Sequence, residues 1–335
     1  MKDSTEIYSI DLNRVLAIKE LTPEYANDLV SAGFPFDFRE LYPSLSQKLL
    51  HATGLIPRVN RLVAYHIEEK HAIGFLCLTE DNTSVYSIKF VFVDPKFRKK
   101  GVASVLFHFA LSLAKNRGAK KVYLDVEDWN VNAAKLYERL GFKIIGTKIA
   151  GQGYLTNNPR LRVVKRTLMG HGYFTNFISK ETGQLIRLKA DSKKNKTLLF
   201  NIYRNCMDKR LLTFFELNPN NIINGYSQIW KHFCFKDAFL NSPAKSYALI
   251  FNRPFFSNAA VEVNSISPVN IQLILDDLVK ILDEKGVAYA HITFFNDCNQ
   301  ACQRWFKNKG FKLFRFSTMG LTLDSKDISG LNENS

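Results

Sequence analysis

Long apolar runs are missing from this chain. No stretch approaches the roughly 18 uninterrupted apolar residues that a membrane-spanning helix requires. The first residues, Met1-Lys2-Asp3-Ser4, do not begin an apolar signal core. These absences argue against membrane insertion and predict a soluble, cytoplasmic protein. A secreted effector without a cleaved signal would have the same sequence appearance.

Paired cysteines and metal-ligand spacings are also missing. The chain has five cysteines, scattered as Cys77, Cys206, Cys234, Cys298 and Cys302. Cys298 and Cys302 lie four residues apart, but no second pair completes a zinc-type spacing. We therefore expect thiols in a reducing compartment and no bound metal.

Acidic residues are few relative to basic ones, with 31 Asp and Glu against 46 Lys and Arg and a net charge of +15. This excess fits an anionic ligand or partner, and it equally fits a generally basic surface. No dense basic helix with base-reading spacing and no RNA-binding aromatic signature accompany the charge, so nucleic acid is not expected as a partner.

The chain is long enough for two domains, with 335 residues of which 46% are hydrophobic. Its most informative stretch runs from residue 87 to residue 142. Ser87–Val93 is β-branched and aromatic enough for a buried strand, and Pro95 must end that strand. A helix should follow Gly101, because apolar residues recur on one helical face at Val102, Val105, Leu106, Phe109, Ala110 and Leu113.

The turn between this strand and helix has the features of an anion site. Gly101 and Ala103 are small, so the backbone can be approached closely, and the first turn of a helix presents N–H groups and a positive dipole end. Four cations surround the turn: Lys96, Arg98, Lys99 and Lys100. A basic turn with one glycine is weak support for phosphate binding when taken alone.

A second motif further along the chain strengthens this interpretation. Arg98-x-x-Gly101-x-Ala103 is followed by a helix, a strand and then Asn130-x-x-Ala133-x-x-Leu136-Tyr137-x-x-x-Gly141-Phe142. Both motifs, in this order and at this spacing, resemble the GCN5-related N-acetyltransferase (GNAT) superfamily over roughly residues 15–169. The resemblance implies a mixed α/β fold with a central, mostly antiparallel sheet flanked by helices, and acetyl-CoA as co-substrate.

The resemblance also implies which residues would hold the cofactor. The first motif corresponds to the family's pyrophosphate loop, and the strand before it splays from the next parallel strand to admit pantetheine through backbone amides. Asn130 matches an asparagine that contacts the pantetheine arm. The implied cofactor-binding residues are Phe92, Val93, Arg98, Lys99, Lys100, Gly101, Val102, Ala103, Ser104 and Asn130.

Catalytic roles follow from the same resemblance. Tyr137 matches the family tyrosine that protonates the leaving thiolate, and a phenol is a competent acid for that step. Asp125 resembles, with a shorter side chain, a glutamate that serves as the base in some members, and Glu127 lies two residues on. Many members use only a water chain, so the base stays open between Asp125, Glu127 and water.

The acceptor side is less defined by sequence. In the resembled family the first two helices form one wall of the acceptor pocket, which makes Phe36, Phe38, Tyr42 and His51 substrate-side candidates. Simple core packing explains the same residues. After the second motif we expect a strand at 143–149 and a loop at 151–160 with two glycines, two asparagines and a proline.

The second half repeats the first at an offset of about 169 residues. Asn299, Gly310 and Phe311 repeat Asn130, Gly141 and Phe142, after an amphipathic helix near residues 271–282 and a strand at 287–294. We therefore expect two tandem GNAT-like domains, 1–170 and 171–325, and a polar tail at 326–335. A different α/β module with chance similarity is the alternative.

The second copy departs from the family pattern at the cofactor site. Residues 263–270 contain no Arg-x-x-Gly-x-Ala, and Phe306 stands where Tyr137 stands. The sequence therefore predicts one acyl-CoA site, in the first domain, and a second domain that is structural or binds the acceptor.

Two functions remain open at this point. The first is an acetyl-CoA-dependent N-acetyltransferase in which a primary amine attacks the thioester directly in a ternary complex. The amine could belong to a small molecule, a protein or a peptide. The second is a non-catalytic CoA-binding or scaffold module. The sequence does not identify the acceptor, the acyl chain length or the oligomeric state.

Overall fold

The computed structural model describes most of the first half of the chain and separated segments of the second. The described residues are 7–11, 14–34, 58–81, 83–155, 186–187, 197, 200–201, 204–205, 207–218, 235–241, 246–252, 258–265, 268–284, 287, 289–294 and 300–323. The contacts within the chain divide it into two compact units. The first unit contains residues up to 125, then 131–143 and those from 319 on, and the second contains 126–130 and 144–318.

The first unit is built on an open sheet with strand order β1-β2-β3-β4-β5-β6. Only β5 and β6 are parallel, and the other neighbours are antiparallel. The strands are β1 Ile7–Asp11, β2 Arg14–Glu20, β3 Val59–His66, β4 His71–Glu80, β5 Val85–Val93 and β6 Lys121–Glu127. The helices are α1 Pro23–Ser31, α2 Val102–Asn116 and α3 Val131–Arg139.

Helix α1 is bounded by residues that suit a helix start and a helix end. The Thr22 hydroxyl accepts a hydrogen bond from the Tyr25 N–H at 3.3 Å, and Pro23 occupies the first helical position. Gly33 follows the helix with a φ of +90°, a conformation that glycine adopts without strain. One face of α1 buries Ala26 and Leu29 in an apolar cluster that includes Val63 and Phe75 of the sheet.

Helix α2 packs unusually close to the sheet at Gly74 of β4. A Cβ atom at this position would lie 3.0 Å from Val102 Cγ1 and 3.1 Å from Leu106 Cδ1. Glycine here therefore allows the start of α2 to approach the sheet, and this contact fixes the position of the preceding turn.

The second unit contains a strand series in the order β7-β12-β11-β10-β9-β8, in which only β11 and β12 are parallel. The strands are β7 Lys143–Tyr154, β8 Ile186–Arg187, β9 Phe235–Asn241, β10 Ser246–Asn252, β11 Asn258–Ser265 and β12 Tyr289–Phe294. The helices are α4 Lys209–Phe214, α5 Pro268–Glu284 and α6 Gln300–Asn308. The last strand, β13 Lys312–Thr322, belongs to the second unit up to Thr318 and to the first from Met319.

The two halves repeat the same series of elements. In the first, β4, β5, α2, β6 and α3 follow one another, and in the second β10, β11, α5, β12 and α6 do so. In both, a parallel pair of strands is connected by a helix. The structure therefore confirms the mixed α/β class and the internal repeat. The domain limits at 170 and 325 stay a prediction, because residues 156–185 and 324–335 lie outside the described part.

One strand is longer than predicted. The sequence predicted a loop from Gly151, but β7 continues to Tyr154 and pairs antiparallel with β12. The two glycines are inside the strand because aromatic rings occupy the space of their missing side chains. A Cβ atom on Gly151 would overlap the Phe306 ring, and one on Gly153 would lie 2.7 Å from Cγ of Phe311. The prediction of a loop from Gly151 to Tyr154 was therefore wrong. The rest of the predicted loop, residues 156–160, lies outside the described residues.

Candidate acyl-CoA and acceptor site

The turn between β5 and α2 has the geometry of a helix N-terminus that can receive an anion. Gly101 occupies the N-cap with a φ of +81°, and as a glycine it places no side chain over the helix end. The first intrahelical bond runs from the Val105 N–H to the Gly101 carbonyl at 3.1 Å. The N–H groups of Val102, Ala103 and Ser104 therefore lie in the first turn, where they have no acceptor within the helix.

The cations of this turn are exposed, and its acidic residue, Asp94, forms a hydrogen bond within the turn. Arg98, Lys99 and Lys100 are all exposed, and Arg98 Nε donates to the Val93 carbonyl at 3.1 Å. The buried Asp94 carboxylate accepts from the Lys96 N–H at 2.9 Å and so caps the short 3₁₀ turn Pro95–Phe97. No acidic residue lies in the first turn of α2. The field at the helix start is therefore positive.

Strands β5 and β6 part in front of this turn. Their parallel pairing covers Val85–Ile88 of β5 and Lys121–Leu124 of β6, and beyond these limits the described residues of the two strands do not pair with each other. On its other side, β5 has an irregularity in its pairing with β4, where Phe92 pairs with Phe75 but Lys89 pairs with Cys77. Phe90 lies in this bulge with a φ of +52°, which is unusual for a bulky residue.

The bulge leaves the last residues of β5 at the edge of the gap. Phe92 and Val93 still pair with β4, while β6 no longer runs beside them. The Phe92 ring packs against the Phe34 ring at 5.1 Å between centroids. The side chain of Phe92 therefore contacts the core, while its backbone lies at the edge of the gap. The gap predicted from the family resemblance is therefore present at Phe92 and Val93.

Tyr137 lies on the buried face of α3. Its exposed fraction is 8%, and its ring packs against Phe107 at 5.2 Å and Phe142 at 6.3 Å. Burial raises the pKa of Tyr137 to about 12. The phenol therefore keeps its proton at neutral pH, which suits a proton donor and not a base.

The two candidate bases have different surroundings. Asp125 is exposed near the end of β6. The Glu127 carboxylate accepts a hydrogen bond from the indole N–H of Trp129, whose side chain is 76% exposed. The backbone carbonyl of Glu127 accepts a second one from the Asn130 N–H at 2.8 Å. The Glu127 carboxylate is thus engaged with the loop that follows β6.

Three polar residues of β5 and of the end of β4 were missed by reasoning from the sequence: Asp81, Ser87 and Lys89. Asp81 follows β4 and is buried, and its Oδ1 accepts from the Ser87 hydroxyl at 3.1 Å. Burial raises the pKa of Asp81 to about 6, while Lys89 and the Tyr123 and Ser87 hydroxyls lower it. Ser87 and Lys89 alternate along β5, which indicates that both side chains lie on one face of the strand. This spacing does not reveal that Asp81, after the neighbouring strand β4, is their buried partner.

Other predicted residues lie outside the described part of the chain. They are Phe36, Phe38, Tyr42 and His51, the acceptor-side candidates. Asn130 follows the carboxyl end of β6 in the chain and is grouped by contacts with residues of the second unit. Among the described residues, no group of three or more His, Cys, Asp or Glu side chains is arranged to hold a metal ion. No described helix is both long and apolar enough to cross a bilayer.

Two differences from the first unit are visible among the described residues of the second. Strand β11 pairs with β10 in unbroken register from Ala259 to Ser265, whereas β5 is bulged. Phe306, at the position of Tyr137, is fully buried and stacks on Phe294 at 5.6 Å. Its ring occupies the space beside Gly151 and has no proton to donate.

The comparisons with known proteins agree with this geometry. Residues 26–142 match the model of the acetyltransferase (GNAT) family. An uncharacterised N-acetyltransferase of Mycobacterium tuberculosis is 30% identical over 92 residues, which span 28% of this chain and little more than half, 58%, of that protein. A peptidyl-lysine N-acetyltransferase of Salmonella typhimurium is 23% identical over 133 residues, spanning 40% of this chain and 77% of that protein.

Similarity to a solved structure extends over nearly the whole chain. A GCN5-related N-acetyltransferase of Sphaerobacter thermophilus aligns with a TM-score of 0.50 and 12% identity, covering 92% of this chain and 95% of that one. At this identity the likeness concerns the fold alone. The family match therefore concerns residues 26–142, and the likeness of fold extends over 92% of the chain.

Proposed function

We propose that this protein is an acetyl-CoA-dependent N-acetyltransferase that transfers the acetyl group directly to a primary amine. The observation that carries the proposal is the gap between β5 and β6, which lies in front of a helix N-terminus capped by Gly101. A thioester held in that gap would have its carbonyl beside the backbone of Phe92 and Val93. Its pyrophosphate would meet the amides of residues 102–104 and the cations Arg98, Lys99 and Lys100.

The reaction balances with groups of this chain. The amine nitrogen attacks the thioester carbon, the new C–N bond forms, and the oxyanion is stabilised by a backbone N–H of the gap. When the C–S bond breaks, the CoA thiolate takes a proton from Tyr137. The proton lost by the amine passes to Asp125 or to water. Asn130 is assigned to the pantetheine arm.

The acceptor is proposed only as a primary amine. The name of the Salmonella relative refers to a lysine side chain, and the other relative is uncharacterised. A lysine of a protein or peptide and a small-molecule alkylamine both fit this description. The second unit, with its regular β11 and with Phe306 in place of the tyrosine, is proposed to bind no acyl-CoA.

Calorimetric titration of acetyl-CoA into the wild type and into Gly101→Glu tests the cofactor site. The substitution puts bulk and negative charge at the helix start, and we expect binding to weaken by about tenfold or more. Gly118→Glu is the matched control. Gly118 lies beyond the other end of α2, is exposed and has a φ of +86°, so its substitution makes the same charge change with similar backbone strain.

The outcomes separate the alternatives. One site in the wild type and in Gly118→Glu, lost in Gly101→Glu, supports a single site in the first unit. Two sites would contradict the assignment of the second unit, and binding that survives Gly101→Glu would contradict the assignment of the turn. Binding without release of CoA thiol over a panel of amines would support a non-catalytic module instead.

A further inference from the structure

The turn between β3 and β4 carries a histidine at each end. His66 is the last residue of β3 and pairs with His71, the first residue of β4. Only 2% of the His66 surface is exposed, and its ring packs against that of Phe97 at 5.4 Å between centroids. The ring of His71 packs against the same phenylalanine at 5.8 Å. We refer to residues 66–71 as the histidine hairpin, which thus contacts the turn that leads to α2.

The two ring nitrogens of His66 have different surroundings. Nδ1 accepts a hydrogen bond from the Glu69 N–H at 3.2 Å, and this bond assigns the proton of the neutral ring to Nε2. Nε2 is buried and has no hydrogen-bond partner among the described residues. Oε1 of Glu69 lies 4.0 Å from it, which is beyond hydrogen-bond distance. An unsatisfied buried donor is costly, which distinguishes His66 from an ordinary core residue.

Glu69 lies between the two histidines. Its Oε2 atom is 3.9 Å from Nε2 of His71, and its backbone carbonyl is 3.2 Å from Nδ1 of His71. A carbonyl only accepts hydrogen bonds, so Nδ1 of His71 carries a proton. The Glu69 side chain is 48% exposed, so it can move toward either ring without losing core packing. A positive charge on either imidazole would attract this carboxylate.

Uptake of a proton by His66 would exchange one interaction with Glu69 for another. In an imidazolium both ring nitrogens carry protons, so Nδ1 cannot accept from the Glu69 N–H. The Nε2–H becomes a charge-assisted donor, with the Glu69 carboxylate 4.0 Å away. Neutral His66 therefore binds the backbone of Glu69, and charged His66 attracts its side chain. The backbone of this short turn, which includes Lys70 at a φ of +55°, must adjust when that bond is lost.

Phe97 connects the histidine hairpin to the proposed cofactor turn. Its side chain is buried, and its N–H donates to the Asp94 carbonyl at 2.8 Å. Arg98 follows directly in the chain, and Nζ of Lys100 lies 5.2 Å from the centre of the Phe97 ring. Both cations belong to the turn that is proposed to meet the pyrophosphate. A shift of the Phe97 ring would therefore change where these two cations stand.

Other ionisable residues around the histidine hairpin do not take the place of Glu69. Among the described residues, the ion pairs of the two histidines are formed with Glu69 alone. Arg14 of β2 lies two positions from the strand neighbour of His66, and burial by itself lowers the pKa of His108 in α2. The buried Asp94 carboxylate is engaged within its own turn. The other charged residues of the hairpin and the turn are exposed: Glu68, Lys70, Lys96, Arg98, Lys99 and Lys100.

We propose that the histidine hairpin makes acetyl-CoA binding in the first unit dependent on pH, with neutral His66 as the state that holds Phe97 and the pyrophosphate turn in place for the cofactor. This inference rests on the proposed function. His66 is a positioning residue, because it acts on the cofactor through Phe97. Binding of acetyl-CoA and uptake of a proton by His66 oppose each other, so the affinity falls as the pH is lowered.

Calorimetric titration of acetyl-CoA between about pH 5.5 and about pH 8 tests the coupling, because imidazole changes its charge in this range. The phosphates of CoA titrate in part of the same range, so each variant is compared with the wild type. His66→Asn places an amide oxygen close to the position of Nδ1 and cannot take up a proton. The rise in Kd on lowering the pH should be about three- to fivefold larger in the wild type than in His66→Asn. Equal rises contradict the proposal.

Two substitutions in the hairpin separate the role of Glu69 from a general loss of charge. Glu69→Gln keeps the N–H that His66 accepts and removes the carboxylate that stabilises the charged ring, so the rise in Kd should become smaller than in the wild type. Glu68→Gln, at the adjacent exposed position, makes the same charge change and should leave the rise unchanged. Equal effects of the two substitutions would contradict the proposal. If His66→Asn fails to fold, this pair of variants still decides the test.

Nitrogen-15 NMR of the histidine rings follows proton uptake without turnover. The His66 signals are assigned through the contact of Nδ1 with the Glu69 amide, and at about pH 8 they should show a proton on Nε2 and none on Nδ1. Saturating acetyl-CoA should lower the pH midpoint of His66, and an unchanged or raised midpoint overturns the inference. Absence of acetyl-CoA binding at every pH would refute the proposed function itself. Intact binding with equal rises in Kd would refute this inference alone.

Discussion

Single residues decide which chemistry the site can perform. Tyr137 is buried against two aromatic rings, and its raised pKa keeps the phenol protonated. Glu127 is engaged with the indole of Trp129 in its own loop. These surroundings distinguish a buried, protonated phenol at Tyr137 from the Glu127 carboxylate, which is engaged in the loop after β6. None of these distinctions is visible in the motif, which gives the positions but not the neighbours.

Tyr137→Phe should reduce kcat by about 100-fold or more while acetyl-CoA binding stays within about twofold, because only the donated proton is removed. Steady-state kinetics and calorimetry measure the two effects separately. Tyr86→Phe is the control, since Tyr86 is also buried and burial likewise raises its pKa to about 12. A similar loss of kcat in both variants would show that the effect of Tyr137→Phe is structural.

At the scale of elements, the first repeat is bulged and the second is regular. A residue with positive φ, Phe90, accompanies the bulge in β5, and the gap beyond Ile88 opens next to it. Strand β11 keeps its register with β10 over the whole length of β10, from Ser246 to Asn252. The bulge therefore distinguishes β5 of the first repeat from β11 of the second.

Strand β7 gives a prediction about stability. Gly151→Ala should lower the free energy of unfolding by about 1–3 kcal/mol, because the new methyl group overlaps the Phe306 ring. Thermal denaturation measures the loss. Thr147→Ala, at an exposed position of the same strand, should change stability by less than about 0.5 kcal/mol.

A second substitution identifies the cause of that loss. Phe306→Leu in the Gly151→Ala background should recover part of the lost stability, because a smaller side chain makes room for the methyl group. An equal loss in the presence and absence of Phe306 would mean that the glycine is needed for a different reason.

At the scale of the whole molecule, buried carboxylates link stability to pH. Burial raises the pKa of Glu262 in β11 to about 8 and that of Asp81 to about 6. The folded state thus binds these protons more tightly than the unfolded state does. Stability from this source is fully present below the unfolded pKa values and is lost as pH rises through the folded ones.

The free energy of unfolding should therefore fall between about pH 4.5 and pH 8, by up to about 1.4 kcal/mol per pH unit for Glu262 alone. Glu262→Gln should flatten this decline, and urea denaturation at several pH values measures it. Glu138→Gln, at an exposed position of α3, is the control and should leave the slope unchanged. A wild-type stability that rises over this range would refute the linkage.

The sequence by itself determined the order of elements and the position of the cofactor turn. Thr22 and Pro23 start α1, Gly101 starts α2, and the two motifs lie where the resembled family has them. Such features depend on residues close in sequence, through capping, periodicity and turn geometry. For the same reason the order of amino acids alone indicates the repeat in the second half and its lack of a glycine turn.

Tertiary structure alone decided the features that depend on distant neighbours. Gly151 and Gly153 lie inside a strand because Phe306 and Phe311 occupy their side-chain space. Asp81 can be both ionisable and buried because Ser87, Lys89 and Tyr123 reach it from adjacent strands. Burial and electrostatic coupling arise only when separate segments pack together, so local sequence patterns do not encode them in a readable form.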